Sequence, residues 1–465
     1  MNDTLKRRQS LKVIISEAIM VLGVVLMVVF LALIVSGYWV NSDFKVQRQG
    51  MIQVASTPTG ADLSIDGESS WLQRTNTSKM LASGEHSVVI SKDGYDTWSK
   101  TVNISEGLLY RIHYPRLFWQ DRKPESILDV AGSTMATISP DNDTLLLINN
   151  TTTWQVVKLD NDTLKPKKID ISSYFSSTSL AEGAEVGVFT GKILSLDWDR
   201  NGDHVLVKSE QSGAVEWTII DANNVKNSIN LTKEFGADFT DVKILDNSSS
   251  NLLAVQNGNL HKIDVSSKII SAVLVENVVD FDHYENEIVF SARSKDDKYT
   301  VGLFKIGDSK VKELEKLDSP AKVVISKFYD NMYIATLADN AFILHNKDDY
   351  SEVMQADLGF TPKHIEVGHD GEFITMWEST EIATLDMETN NIIEWSVEGN
   401  SFDWLDNDMI YSVSAGELIV YDFDGLNRRI LARNVSDHFP ASITDDKWLY
   451  YFSDDKLMRE WIIEH

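Results

Sequence analysis

"SLDWDRNGDHVLV" (Ser195–Val207) aligns with "SFDWLDNDMIYSV" (Ser401–Val413), a stretch much nearer the end of the chain. Each contains an alternating strand pattern, a turn rich in Asp, Asn and Gly, and a second, apolar strand pattern. The same plan recurs in "ATISPDNDTLLLI" (Ala136–Ile148) and "IEVGHDGEFITMW" (Ile365–Trp377). A recurring strand–turn–strand unit predicts an all-β array of similar sheets.

Eight such units can be counted, and most are about 35–50 residues long, which is typical of four-stranded propeller blades. The remaining four are "VKILDNSSSNLLAV" (Val242–Val255), "VVDFDHYENEIVFS" (Val278–Ser291), "VISKFYDNMYIAT" (Val324–Thr336) and "ASITDDKWLYYFS" (Ala441–Ser453). We therefore predict a β-propeller over residues 116–465 with eight blades, and seven blades as the alternative.

Two of the repeats also carry a family resemblance. "ISPDNDTLLLI" (Ile138–Ile148) and "YDFDGLNRRILA" (Tyr421–Ala432) resemble the repeats of Tol-system and WD-repeat-like bacterial propellers. The last unit lacks a recognisable outermost strand. We expect "LLYRIHYPRLFW" (Leu108–Trp119) to supply that strand and lock the ring.

A smaller β domain is predicted before the repeats, over residues 53–115. Its strand patterns are separated by turn signals such as Asp66-Gly67 and Asp93-Gly94. Together with Pro58, Gly60 and Trp98, these positions resemble the PEGA domain, although the usual Gly-x-Thr-Pro step is missing. The resemblance implies a small β-sandwich of surface proteins, usually tethered beside a membrane, with a role in interaction.

An uncharged stretch precedes this domain. Ala18–Val40 contains 23 residues without a charge, and about 20 apolar residues suffice to span a bilayer as a helix. The residues before it include a basic cluster, which favours a cytoplasmic N-terminus. We therefore predict a cytoplasmic tail (1–17), a transmembrane signal anchor (18–40), a linker (41–52) and an extracellular remainder on the cell membrane.

Composition narrows the choice of partners. The formal net charge is −27, so the chain repels nucleic acid phosphates, and no nucleic acid partner is expected. The absence of cysteine excludes disulfides and cysteine-ligated metals. The expected partners are the membrane and an envelope protein or cell-surface glycan.

The repeat alignment supplies the candidate site. The polar residue near the end of each first strand is acidic in four of the eight units, namely Asp197, Asp280, Glu366 and Asp403. If these positions face the ring axis, they form an acidic collar in the channel, whereas ordinary capping of the hairpins is the alternative.

The chain carries no phosphate loop, nucleophile elbow or zinc-protease motif, so no catalytic, cofactor or metal site is predicted. The predicted function is that of a membrane-anchored, extracytoplasmic binding or scaffold protein and not an enzyme. The alternative is a propeller-fold glycoside hydrolase or lyase acting on surface polysaccharide, which would need a suitably spaced carboxylate pair.

Overall fold

Strands account for most of the chain in the computed structural model. The structure describes residues 17–29, 31–32, 38–40, 46–159, 164–179, 182, 184, 186–245, 249–308, 311–368, 370–399 and 401–464. The chain divides into two compact units, Met1–Asp121 and Arg122–His465. The predicted start of the propeller, residue 116, lies a few residues before this boundary.

The first unit contains eight strands, which form two four-stranded sheets. In one sheet β2 lies between β5 and β1 and also pairs in parallel with β8, and the other has the order β4-β3-β6-β7. The strands are β1 (Tyr38–Val40), β2 (Val46–Val54), β3 (Asp62–Ile65), β4 (Glu68–Arg74), β5 (Thr77–Ala82), β6 (Gly84–Ser91), β7 (Trp98–Ile104) and β8 (Leu109–Ile112).

Alternation places one face of each sheet in the core of this unit. Ile52 and Val54 of β2 and Val88 and Ile90 of β6 are fully buried, whereas their neighbours along each strand are more exposed. Asp66 and Gly67 both adopt positive φ, 54° and 77°, as the predicted tight turn between β3 and β4 requires.

The predicted membrane span is only partly described. Residues 17–29 and 31–32 are helical, while residues 1–16, 30 and 33–37 lie outside the described residues. Among the described helices, none has the length and apolarity needed to cross a membrane. The end of the predicted span needs correction, because Tyr38–Val40 is a strand paired with β2 and therefore does not continue the helix.

The described residues of the second unit form eight four-stranded antiparallel sheets, which we call blades 1 to 8 in chain order. The strands of blades 1 to 4 are β10 (Ser133–Ile138), β11 (Thr144–Asn149), β12 (Thr153–Lys158) and β13 (Lys167–Asp170); β16 (Lys192–Trp198), β17 (His204–Gln211), β18 (Ala214–Asp221) and β19 (Ile229–Asn230); β20 (Phe239–Ile244), β21 (Asn251–Gln256), β22 (Asn259–Asp264) and β23 (Ile269–Ile270); and β24 (Val278–Tyr284), β25 (Glu287–Arg293), β26 (Tyr299–Lys305) and β27 (Lys312–Leu317).

Blades 5 to 7 have four consecutive strands each, and blade 8 combines three C-terminal strands with β9 from the start of the unit. These strands are β28 (Ala321–Phe328), β29 (Asn331–Ala338), β30 (Ala341–Asn346) and β31 (Glu352–Asp357); β32 (His364–Val367), β33 (Phe373–Glu378), β34 (Glu381–Asp386) and β35 (Asn391–Ser396); β36 (Phe402–Trp404), β37 (Met409–Ser414), β38 (Glu417–Asp422) and β39 (Arg429–Arg433); and β40 (Ser442–Thr444), β41 (Trp448–Ser453), β42 (Lys456–Trp461) and β9 (Glu125–Asp129).

Short elements fill two of the connections. A two-stranded sheet, β14 (Thr178–Ser179) with β15 (Val188–Phe189), lies between blades 1 and 2. A 3₁₀-helix (Val225–Asn227) and a short α-helix (Leu231–Phe235) accompany the outer strand of blade 2.

Neighbouring blades share hydrophobic clusters, so each blade buries its faces against the next. Trp154 of blade 1 belongs to one cluster with Val207 of blade 2, and the other consecutive pairs through blades 6 and 7 pack in the same way. Blade 8 shares a cluster with blade 1, and the Ile443 N–H of blade 8 donates to the Leu405 carbonyl of blade 7. The unit is therefore propeller-like, with its last blade packed on its first.

The strand that completes blade 8 is not the one predicted. Within Leu108–Trp119, β8 pairs with β2 in the first unit, and Leu117 and Phe118 are buried. The outer strand of blade 8 is β9, which pairs with β42, and Arg459 forms an ion pair with Glu125 at 3.1 Å. An alternating pattern indicates a strand but not the partner of that strand, which explains the error.

Candidate functional site

A cavity of about 810 Å³ lies where the first strands of the blades converge. All eight blades contribute to its lining, mainly through the ends of their first strands and the hairpins that follow. The hairpins are built from the Asp, Asn and Gly turns seen in the repeats. The repeated sequence unit therefore brings equivalent positions of different blades around a single space.

Strand register identifies that equivalent position in every blade. In each blade, one residue of the first strand pairs with the third residue of the second strand, as Asp197 pairs with Leu206. The eight residues so defined are Thr137, Asp197, Lys243, Asp282, Ser326, Glu366, Asp403 and Ser442.

The structure brings three of the four predicted collar residues together and separates the fourth. Asp197, Glu366 and Asp403 line the cavity, whereas Asp280 is not part of the lining. Its place is taken by Asp282, because β24 continues to Tyr284 and pairs Asp282, not Asp280, with the third residue of β25. Asp282 lies two residues further along the same strand and therefore on the same face, which is the signal in the sequence that could have identified it.

The two carboxylates of blade 4, Asp280 and Asp282, form hydrogen bonds with the backbone of blade 5. Asp280 Oδ2 accepts a hydrogen bond from the Val323 N–H at 2.8 Å, and Asp282 Oδ2 accepts one from the Ile325 N–H at 3.1 Å. Both amides belong to β28, the first strand of blade 5. These side chains therefore satisfy backbone donors between two sheets that are not paired with each other.

Asp282 also forms an ion pair with Lys243, the residue at the equivalent position of blade 3. Lys243 Nζ lies 2.9 Å from Asp282 Oδ1, and both side chains are partly buried. Burial alone would lower the pKa of Lys243, but Asp282, Asp280 and Asp241 together outweigh it and raise that pKa. Lys243 is thus charged, and its charge interacts with Asp280 and Asp282 of blade 4 and with Asp241 of its own blade.

The other three carboxylates lack such partners. Asp197 accepts from the Ser195 hydroxyl at 3.0 Å, and Asp403 accepts from the Trp404 N–H at 2.8 Å. Within the described part of the chain, no Lys, Arg or His forms an ion pair with Asp197, Glu366 or Asp403. All three residues have a large accessible surface, and that surface faces the cavity that encloses them.

Enclosure and mutual repulsion favour the protonated forms of these acids. Burial, reinforced by the charges of Asp403 and Asp197, raises the pKa of Glu366 to about 7. Burial raises the pKa of Asp403 to about 6 and also raises the pKa of Asp197. A cation in the cavity would relieve this repulsion, so the arrangement is chemically suited to binding positive charge.

Aromatic side chains and a second cation line the mouth formed by the hairpins. Trp198 donates its indole N–H to the Thr137 hydroxyl at 3.0 Å, which joins blades 1 and 2. The Arg200 guanidinium lies 4.5 Å from the centre of the Tyr284 ring. Both residues also line an adjoining cavity of about 510 Å³ between blades 2, 3 and 4. The alignment of repeats did not single out Arg200 or Tyr284, because hairpin residues differ from blade to blade.

Solved structures similar to this chain are distant. They include an oligogalacturonate lyase in complex with manganese (14% identity, 57% of this chain and 88% of that chain, TM-score 0.38), Hsv2 from Kluyveromyces lactis (10%, 64% and 97%, 0.43) and the computationally designed Ika8 protein (11%, 73% and 100%, 0.42). No curated protein matches the chain. The PEGA family model matches residues 49–115, which confirms the predicted resemblance and identifies a PEGA domain within the first unit of this chain.

Proposed function

We propose that this chain is an extracytoplasmic binding protein whose second unit holds a positively charged segment of an envelope protein in its central cavity. The observation that carries the proposal is the set of three carboxylates from three different blades, Asp197, Glu366 and Asp403, which share one cavity and form no ion pair with a described Lys, Arg or His. A lysine or arginine side chain would supply the missing charge.

Electrostatics favours a cationic partner before contact as well. The net charge of −27 attracts positive segments over a distance set by screening, about 10 Å at 0.1 M salt. Association steered in this way is expected to slow as salt is added, whereas dissociation is expected to change less. The salt dependence of the on-rate is therefore a signature of the proposal.

The proposed location rests on the sequence before β1. Ala18–Gly37 is uncharged, ends where β1 begins and still has about the length needed for one span. The helical part of this stretch exposes apolar side chains, including Leu22 at 58% and Met27 at 64%. External protease on cells stripped of their wall should remove both folded units, and full protection of the chain would reject this location.

The binding test replaces the three carboxylates together, as Asp197→Asn, Glu366→Gln and Asp403→Asn. Calorimetry with tetralysine at low salt should show at least a tenfold loss of affinity, since each charge interaction in such a site contributes about 0.5–1 kcal/mol or more. The matched control is Glu276→Gln, Glu313→Gln and Glu381→Gln, which removes the same charge from exposed positions outside the cavity lining.

The control should retain most of the affinity. Equal losses in the two triple variants would show that only overall charge matters and would remove the cavity as the site. Turnover of a wall glycan by the purified chain would instead contradict the assignment as a non-enzyme.

A further inference from the structure

One cation of the chain itself already occupies an aromatic face at the cavity mouth. Arg200 lies on the hairpin of blade 2, and Tyr284 ends the first strand of blade 4, so their contact reaches past blade 3. The guanidinium carbon is 4.5 Å from the ring centre, within the range of a cation–π interaction. Arg200 is exposed, whereas Tyr284 is half-buried and packs at its base with the cluster of blades 4 and 5.

The two partners differ in how firmly they are held. Tyr284 belongs to β24 and pairs with Glu287 of β25 across the hairpin. Arg200 is a turn residue with a long side chain, which loses rotamer freedom when it lies on the ring. The aromatic face is therefore the fixed element and the guanidinium the replaceable one.

The surroundings of this contact are those of a cation subsite. Asp197, Asp241 and Glu285 line the adjoining cavity with Tyr284, and Asp197 also lines the central cavity. Arg200 lines both cavities as well, so a ligand that enters at this mouth meets it.

We propose that the face of Tyr284 is a subsite for a guanidinium or ammonium group of the ligand, and that Arg200 occupies this subsite until the ligand displaces it. This inference rests on the proposed binding of positive charge. Tyr284 receives the cationic group of the ligand, and the contact between Arg200 and Tyr284 competes with it. The recognised group is a cationic side chain, with arginine preferred because its planar guanidinium stacks on an aromatic ring.

The chain offers a matched pair of variants. Arg200→Gln and Lys327→Gln each remove one positive charge from the lining of the central cavity, but only Arg200→Gln vacates the ring. Both should strengthen binding of tetra-arginine through the lost repulsion. Arg200→Gln should add a further gain of about threefold to tenfold, the worth of one cation–π contact that no longer faces a competitor.

A second substitution tests the ring. In the Arg200→Gln background, Tyr284→Phe should keep the additional gain and Tyr284→Leu should abolish it, because only the aromatic rings attract a cation. Binding is measured by calorimetry on the full chain, with circular dichroism to verify that each variant folds.

The outcomes separate the two proposals. Equal gains from Arg200→Gln and Lys327→Gln overturn the subsite, and so does an additional gain that survives Tyr284→Leu. Loss of tetra-arginine binding in the Asp197, Glu366 and Asp403 triple variant would still support the cavity in that case. If neither the natural chain nor any variant binds tetra-arginine or tetralysine, both proposals fail.

Discussion

The carboxylates of blade 4 and those of blades 2, 6 and 7 lie at or near equivalent positions of the first strands. They nevertheless have different partners. Asp280 and Asp282 each accept an N–H from blade 5, and Asp282 also pairs with Lys243. Glu366 and Asp403 line the central cavity, and the charge of Asp403 repels that of Glu366. A carboxylate that meets donors stabilises the fold, whereas one that meets another carboxylate stores an unfavourable charge that a ligand can relieve.

The largest expected effect comes from breaking the ion pair of blade 4. Asp282→Ala removes the acceptor of the Ile325 N–H and leaves the partly buried Lys243 without its nearest partner. We expect the free energy of unfolding to fall by about 2 kcal/mol, as for other partly buried charged hydrogen bonds. Urea denaturation followed by tryptophan fluorescence measures this, and an unchanged midpoint would show that the contact between blades contributes nothing.

A smaller loss is expected at Asp280. Asp280→Ala removes one acceptor, that of the Val323 N–H, but no ion pair. The expected decrease in the free energy of unfolding is about 1 kcal/mol. Asp280→Asn keeps an acceptor oxygen and should lose less than Asp280→Ala. If the two variants are equally stable, the hydrogen bond to Val323 is not what holds blades 4 and 5 together.

A further expected effect concerns the dependence of stability on pH. Glu366 and Asp403 have raised pKa values, about 7 and about 6, so the folded chain binds more protons than the unfolded chain between pH 4 and 7. This contribution to stability is present at low pH and is lost as pH rises through that window. Glu366→Gln with Asp403→Asn should flatten the stability profile there, with Asp197, Asp282 and Lys243 as the remaining charged neighbours. An unchanged slope in the double variant would contradict the assignment.

The repeats predicted eight units, with seven as the alternative, and the described residues of the second unit form eight four-stranded sheets, because each unit has its own turn and apolar strand. They did not predict the register within blade 4, where β24 runs on to Tyr284 and carries a bulge between Val278 and Asp280. The connection between β24 and β25 is only two residues long, whereas five residues connect β16 to β17, so counting from the pattern selected Asp280 in place of Asp282.

Other features depend on contacts between residues that are far apart in the chain. The role of Asp280 follows from its contact with the Val323 amide, and the position of Arg200 follows from a ring two blades away. Neither contact leaves a pattern in the sequence around these residues. Composition and periodicity thus indicated the layout of the chain and the acidity of its ring positions, while the partner of each acid required the folded arrangement.

The pairing of β9 with β42 has a consequence for biosynthesis. Glu125 and its partner Arg459 are 334 residues apart, so β9 emerges from the ribosome long before the strand it needs. At about 5–20 residues per second, the wait is roughly 17–70 s. During that time β9 presents an unpaired edge, which Pro124 before it and the charges of Glu125 and Asp129 at its ends keep from pairing with other chains. Blade 8 consequently cannot be completed until β42 has been synthesised.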